Sequence, residues 1–235
     1  MVVLDLPGFG RSPRPEPSHK CLNLEELACD VLAAGSGVGT GPLFLAGHSH
    51  GGGVAQFTAG KYPEKVRGIV PIATLGTPAH PTYRLLSLPG MNRLMKILGR
   101  CIQWPNTDTL ARAIVRAVSR DIFAPEKMTA GQLEKELSTI KRRPEILRTM
   151  VDVTLSAPST QLAQIAPNIR CPVVFVHGED DDLVPIRHAY NMHRIILEAG
   201  GQSEFVGVSN AGHMLLHYQA DLVVETIKGL IARTQ

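Results

Sequence analysis

At 235 residues, 44% apolar, 19% charged and 5% aromatic, the chain has enough apolar surface for a buried core and the length of one domain with room for an insertion. No run approaches the ~18 apolar residues of a membrane span, glycine and proline (22 and 17) stay below a disordered composition, and a formal charge of +3 is too small to imply nucleic acid. The four cysteines (Cys21, Cys29, Cys101, Cys171) form no CxxC pair, and Met1 runs straight into Val2-Val3-Leu4-Asp5 with no signal-peptide pattern. The expectation is a reducing, cytoplasmic setting, cysteines serving as buried apolar fillers, no metal and no cofactor.

In chain order, Val2–Leu6 reads as a buried strand stopped by the tight turn Pro7-Gly8-Phe9-Gly10. Asn23 caps a helix with Glu26 three residues on, and Leu24, Leu27, Ala28 and Val31 form its inner stripe. The glycine-rich stretch Gly35 to Gly41 lacks GxGxxG spacing and reads as a loop. Leu43–Ala46 is a strand, followed by Gly47-His48-Ser49-His50-Gly51 and a helix to about Tyr62; Ile69–Ala73 is the next strand. After Pro158, Pro172–Val176 and Glu204–Val208 read as strands, Ile186–Ala199 and Gln219–Arg233 as helices. Strands alternating with helices indicate an α/β fold with a mostly parallel, doubly wound sheet.

Between Thr77 and Pro158 the composition changes. That block carries 13 Lys/Arg against 7 Asp/Glu, the remainder 11 against 14. It has no strand-like run, only helical stripes: Met91, Leu94, Met95, Leu98, Ile102 with Trp104, and then Leu110, Ala113, Ile114, Ala117, Val118. Arg112, Arg116 and Arg120 fall on one solvated face. The block therefore reads as a helical insertion at 77–158 within a core of 1–76 and 159–235, its apolar stripes packing onto the main sheet.

The chemistry starts at Ser49. A strand, then Gly47-x-Ser49-x-Gly51, then a helix is a nucleophile elbow: a serine at the apex of a strained strand-to-helix turn, with small residues two before and two after because neighbouring backbone comes close. The hydroxyl stands exposed, and the His50 amide at the helix start points at a developing oxyanion. His50-Gly51-Gly52-Gly53 matches an oxyanion-loop string but is the elbow itself, and His48-x-His50 is too crowded for a metal pair. A serine needs a base, and the base an orienting carboxylate. Candidates follow the last two strands: the acidic run Glu179-Asp180-Asp181-Asp182 after His177-Gly178, then Asn210-Ala211-Gly212-His213, with His217 a fallback base. His19, His80, His188 and His193 read as surface or insertion histidines.

Four motifs, Asp5-Leu6-Pro7-Gly8-Phe9-Gly10-Arg11-Ser12, Gly47-His48-Ser49-His50-Gly51-Gly52, His177-Gly178-Glu179-Asp180-Asp181 and Gly212-His213, make the chain resemble the α/β-hydrolase family over nearly its whole length. The resemblance implies a catalytic set of Ser49, Asp181 and His213, with residues 77–158 as the cap. It also implies about three strands and a helix ahead of Val2, including an HG loop that donates the second oxyanion hydrogen bond. The expectation is therefore an N-terminally truncated version of the fold, best explained by Met1 lying inside a longer protein; a re-pairing of Val2–Leu6 with Leu43–Ala46, or a strand from another chain, would be the alternatives. Serine rather than aspartate at the elbow implies hydrolysis of a carboxylic ester or related acyl bond in a small-molecule substrate. A C–C bond hydrolase of aromatic-ring degradation, a haloperoxidase-like enzyme and a non-catalytic ligand-binding member are the other readings. The basic cap suggests anionic substrates or peripheral contact with an anionic lipid surface.

Overall fold

The computed structural model describes residues 1–16, 22–76, 88–104, 108–125, 127–156 and 159–234. In chain order its elements are α1 (Leu24–Ser36), β1 (Leu43–His48), α2 (His50–Lys61), β2 (Val66–Ile72), α3 (Met91–Ile102), α4 (Asp108–Phe123), α5 (Ala130–Arg142), α6 (Ile146–Ser156), α7 (Ser159–Ile165), β3 (Val173–Gly178), α8 (Arg187–Glu198), β4 (Ser203–Val208), α9 (Leu215–Tyr218) and α10 (Ala220–Thr234). The strands pair in parallel in the order β1-β2-β3-β4. His48 lies opposite Ile72, Ile72 opposite Val176 and Gly178 opposite Val208, so all four carboxyl ends reach one rim. In an open parallel sheet that rim is where ligands bind.

Alternation along the strands builds two apolar layers. Val173 and Phe175 pack with Leu27, Val54, Leu162 and Met192 of α1, α2, α7 and α8. Val174 and Val176 face the other way, onto Leu215, Val223 and Leu230 of α9 and α10. Helix α1 starts as its sequence indicates, the Asn23 Oδ1 accepting the Glu26 amide at 2.9 Å. Among the described residues no helix is long and apolar enough to cross a membrane.

Helices α3 to α6 connect β2 to β3 and form a cluster of their own from Ile102, Ala111, Val115, Leu133, Leu137 and Leu147. This corrects the expected packing of the stripes onto the sheet. The helices hide their apolar seams against one another, leaving Leu94, Trp104 and Leu110 exposed. The inward seam of α4 runs through Ala111 and Val115, one residue out of phase with the stripe read from Leu110. On its outer face Arg112 pairs with Glu134 of α5 at 2.8 Å.

Three other expectations are also corrected. Val2–Leu6 forms no strand: Val2, Val3 and Leu4 are exposed, and no strand pairs with the outer edge of β1 among the described residues. An apolar run becomes a strand only where a neighbour satisfies its amides and carbonyls, and the run has none here. The turn after it does form, with Gly8 and Gly10 at φ +83° and +47°. Of the three described cysteines, only Cys171 is a buried filler, its thiol pushed up to about 11 by burial; Cys29 is exposed, Cys101 half-buried, and Cys21 lies outside the described residues. His188 is buried on the inner face of α8, and His193 is half-buried, its Nδ1 2.8 Å from Ser203 Oγ. His19 and His80 lie outside the described residues.

Candidate active site

Between the last residue of β1, His48, and the first of α2, His50, the whole turn is one residue. Ser49 sits at φ +53°, ψ −116°, a conformation that costs a non-glycine residue about 1–3 kcal/mol and persists only where surroundings enforce it. Here its N–H donates to Ile72 O at 2.8 Å, and its carbonyl accepts from the Gly52 and Gly53 amides at 3.1 and 3.2 Å. A side chain at Gly47 would overlap the Gly51 carbonyl, which explains that glycine. The second small position is not where expected: a Cβ on Gly51 meets nothing, whereas one on Gly52 would overlap Thr74 Oγ1. The first turn of α2 swings Gly51 outward and Gly52 in against the end of β2. There the buried Gln56 amide donates to Gly52 O, Thr74 Oγ1 and Leu75 O at 3.2, 2.9 and 3.2 Å, pinning helix to strand. As the first residue of its helix, His50 carries an amide that the helix cannot pair.

The acidic run after β3 resolves to one residue. Asp180 and Asp182 are exposed, and Asp181 is buried. Its Oδ1 accepts the Leu183 and Val184 amides at 3.0 and 2.7 Å. Its Oδ2 lies 2.9 Å from His213 Nδ1 and 3.2 Å from His177 Nε2. Burial is the largest influence on this carboxyl and would raise its pKa. The hydrogen bonds from His177 and His213, the His213 charge and the Val184 amide outweigh it and hold the carboxyl well below its usual range. An ionised Asp181 can only accept, so the His213 Nδ1 carries the proton and the lone pair sits on Nε2. His217 is exposed, its ring 6.5 Å from that of Phe123, and makes no contact with Asp181.

His48, crowded out of a metal pair with His50, ties the two sides of the rim together. Its Nε2 lies 2.7 Å from the His213 carbonyl oxygen. A carbonyl can only accept, so Nε2–H donates, and the ring packs at 4.8 Å against the His213 ring. Burial, then the His213 charge, lower the His48 pKa to about 4, leaving a neutral donor at neutral pH. Burial also lowers His50 to about 4, and its Nε2 is buried without a hydrogen-bond partner among the described residues. The Ser49 hydroxyl makes no hydrogen bond among the described residues. Contacts of this kind often close only once substrate is bound.

The end of α4 rests on the loop that carries His213. A Cβ at Gly212 would overlap the Ala124 carbonyl, and Phe123 meets His217 edge-on. The helices between β2 and β3 therefore lie over the rim at the loop that carries His213. Among the described residues no group of three His, Cys, Asp or Glu side chains could hold a metal ion.

The sequence pattern that defines the alpha/beta hydrolase family matches residues 1–226. The chain belongs to that family. Among its hydrolase relatives is a 2-hydroxy-6-oxononadienedioate/2-hydroxy-6-oxononatrienedioate hydrolase of a Pseudomonas species, 24% identical over 236 residues, 99% of this chain and 77% of the relative. A monoacylglycerol lipase of Mycolicibacterium smegmatis is 28% identical over 188 residues, 79% of this chain and 61% of the lipase. The crystal structure of MGS-M2, an alpha/beta hydrolase enzyme from a deep-sea metagenome library, superposes with a TM-score of 0.71 at 19% identity, over 98% of this chain and 78% of that one. At that identity the likeness concerns the fold.

Proposed function

We propose that this hydrolase-family chain is a serine hydrolase of a carboxylic ester or related acyl bond, with Ser49 as nucleophile, His213 as base and Asp181 as the carboxylate that orients it. The observation that supports this is the buried 2.9 Å Asp181–His213 hydrogen bond, held through His48 beside a strained serine. Ser49 Oγ attacks the acyl carbon as its proton passes to His213 Nε2, and Asp181 stabilises the imidazolium. The oxyanion of the tetrahedral intermediate takes the His50 N–H. Collapse expels the alkoxide, which receives the proton from His213 and leaves as the alcohol. Water, deprotonated by His213, then attacks the acyl-Ser49 ester and releases the acid and the free serine. No step requires a cofactor.

In this reading the helices between β2 and β3 act as the cap that shapes a pocket for a small substrate in the cytoplasm. The lipase relative favours an ester. The 2-hydroxy-6-oxononadienedioate/2-hydroxy-6-oxononatrienedioate hydrolase relative favours a second reading, a C–C bond hydrolase using the same residues. A fluorophosphonate probe separates enzyme from non-catalytic binder: labelling of Ser49, abolished in Ser49→Ala, is expected, and a folded protein that stays unlabelled overturns the proposal. Turnover of p-nitrophenyl acetate against a dienoate ring-fission product then distinguishes ester from C–C cleavage.

A further inference from the structure

A cavity of about 850 Å3 is lined by none of Ser49, Asp181 and His213. It opens between the loop at residues 10–16 and the elbow joining α5 to α6. Five arginines (Arg11, Arg14, Arg142, Arg143, Arg148) line it against two carboxylates, Glu16 and Glu145. Guanidinium groups keep their charge in any protein environment, so converging several on one space is unfavourable unless anions answer them.

Two of the five are committed to structure. The Arg14 side chain is buried and paired with Glu16 and Asp152. Arg143 donates to Glu145 at 2.9 Å, to Ser12 O at 2.8 Å and to Gly10 O, which staples the loop to the helices. Of the other three, Arg11 and Arg142 are answered weakly or not at all. Arg142 is exposed and has no carboxylate partner among the described residues. The Arg11 side chain is almost wholly exposed, with Asp5 no nearer than 3.9 Å. Arg148 Nη1 is 4.0 Å from Glu16, a carboxylate already taken by Arg14. Even with Asp152 and Asp5 counted, arginines outnumber the acids around this space.

We propose that this cavity is a binding site for a phosphate-bearing anion. Forks on two facing walls suit a tetrahedral group that presents several oxygens at once, whereas a planar carboxylate is satisfied by one fork. The volume leaves room for the body to which a phosphate is attached. The shared chemistry is a phosphate group, whether on a free metabolite or on a lipid head. Bound there, it bridges the loop at residues 10–16 to α5 and α6, so it stabilises the folded chain in proportion to its concentration. Nothing in this site depends on hydrolysis at Ser49.

The test uses the full chain, with inorganic pyrophosphate as probe in low salt. Calorimetry is expected to show saturable one-to-one binding, and the melting temperature to rise with pyrophosphate. The double variant Arg11→Gln/Arg142→Gln alters two exposed side chains and should keep its fold while binding at least tenfold more weakly. Arg67→Gln, an exposed arginine on β2, should bind as the wild type does. Sedimentation with phosphatidylglycerol or phosphatidylcholine vesicles identifies the source. Binding to the anionic vesicles that pyrophosphate competes away, and that the double variant loses, supports a lipid headgroup. Pyrophosphate binding without vesicle binding supports a free phosphorylated molecule. Absence of both, or affinity in the double variant equal to that of Arg67→Gln, overturns the proposal.

Discussion

Replacing Asp181 by asparagine leaves the shape of the site intact and reverses its hydrogen-bond logic. Two backbone amides, Leu183 and Val184, point at Oδ1 at 3.0 and 2.7 Å. The asparagine oxygen must take that place, because its NH2 there would face two donors and forfeit both bonds. The NH2 then occupies the Oδ2 position, 2.9 Å from His213 Nδ1. A donor now meets the nitrogen that carried the proton, so His213 adopts the other tautomer, protonated at Nε2, and has no lone pair for Ser49. Loss of both the tautomer and the charge that stabilises the imidazolium predicts a fall in kcat of about 10⁴, roughly 5.5 kcal/mol of barrier. KM should stay within about threefold, since substrate does not touch Asp181. The assay is steady-state hydrolysis of p-nitrophenyl acetate, normalised to folded protein by circular dichroism. A folded Asp181→Asn variant with kcat within tenfold of wild type would refute this account of the base.

Three further outcomes follow from the same geometry. His48→Phe removes the donor to the His213 carbonyl while filling the space; an unsatisfied buried carbonyl costs about 1–3 kcal/mol, so kcat should drop roughly tenfold or more, and His48→Gln, which can donate from a similar position, should recover most of it when rates are normalised to titrated active sites. Gly212→Ala forces a methyl group into the Ala124 carbonyl; overpacking of this kind costs about 1–3 kcal/mol, visible as a melting temperature lower by several degrees, and an unchanged melting curve would mean that α4 does not press on this loop. Acid should destabilise the protein in two stages. The unfolded chain protonates His48 and His50 near their ordinary 6.5 and the folded chain only near 4, so unfolding takes up protons and stability falls as pH drops through that window. Asp181, whose folded value is lower still, removes more stability below about its ordinary 3.8. Urea midpoints measured from pH 7 to pH 3 check this, with His48→Gln giving a shallower first stage and a flat wild-type profile refuting it.

What the sequence made legible is what local rules govern. The β-branched runs read at Ile69–Ala73 and Pro172–Val176 became β2 and β3, Asn23 capped α1, and the Gly-x-Ser-x-Gly spacing became a one-residue turn with Ser49 at positive φ. Asp181 could be preferred over Asp180 and Asp182 by motif alone, but only burial and the two amides at Oδ1 explain the choice physically. What stayed illegible depends on partners distant in the chain. Val2–Leu6 has strand composition, yet no strand to pair with among the described residues. The helices after β2 are amphipathic as read, but whether they turn inward to the sheet or toward one another is a tertiary choice, and they turned toward one another. His48 looked incidental because its partner, the His213 carbonyl, is supplied by a segment 165 residues away. A signal for His188 was present: with Met192 and Ile196 it recurs every four residues on one side of α8, the spacing of a buried stripe.

The seating of Ala124 on Gly212 has a mechanical consequence. Those two backbones touch with no side chain between them, so any movement that lifts α4 to admit a molecule also tugs at the strap bearing the imidazole. If His213 acts as proposed, entry and reactivity are geared together: the further α4 is displaced, the less firmly that imidazole is held.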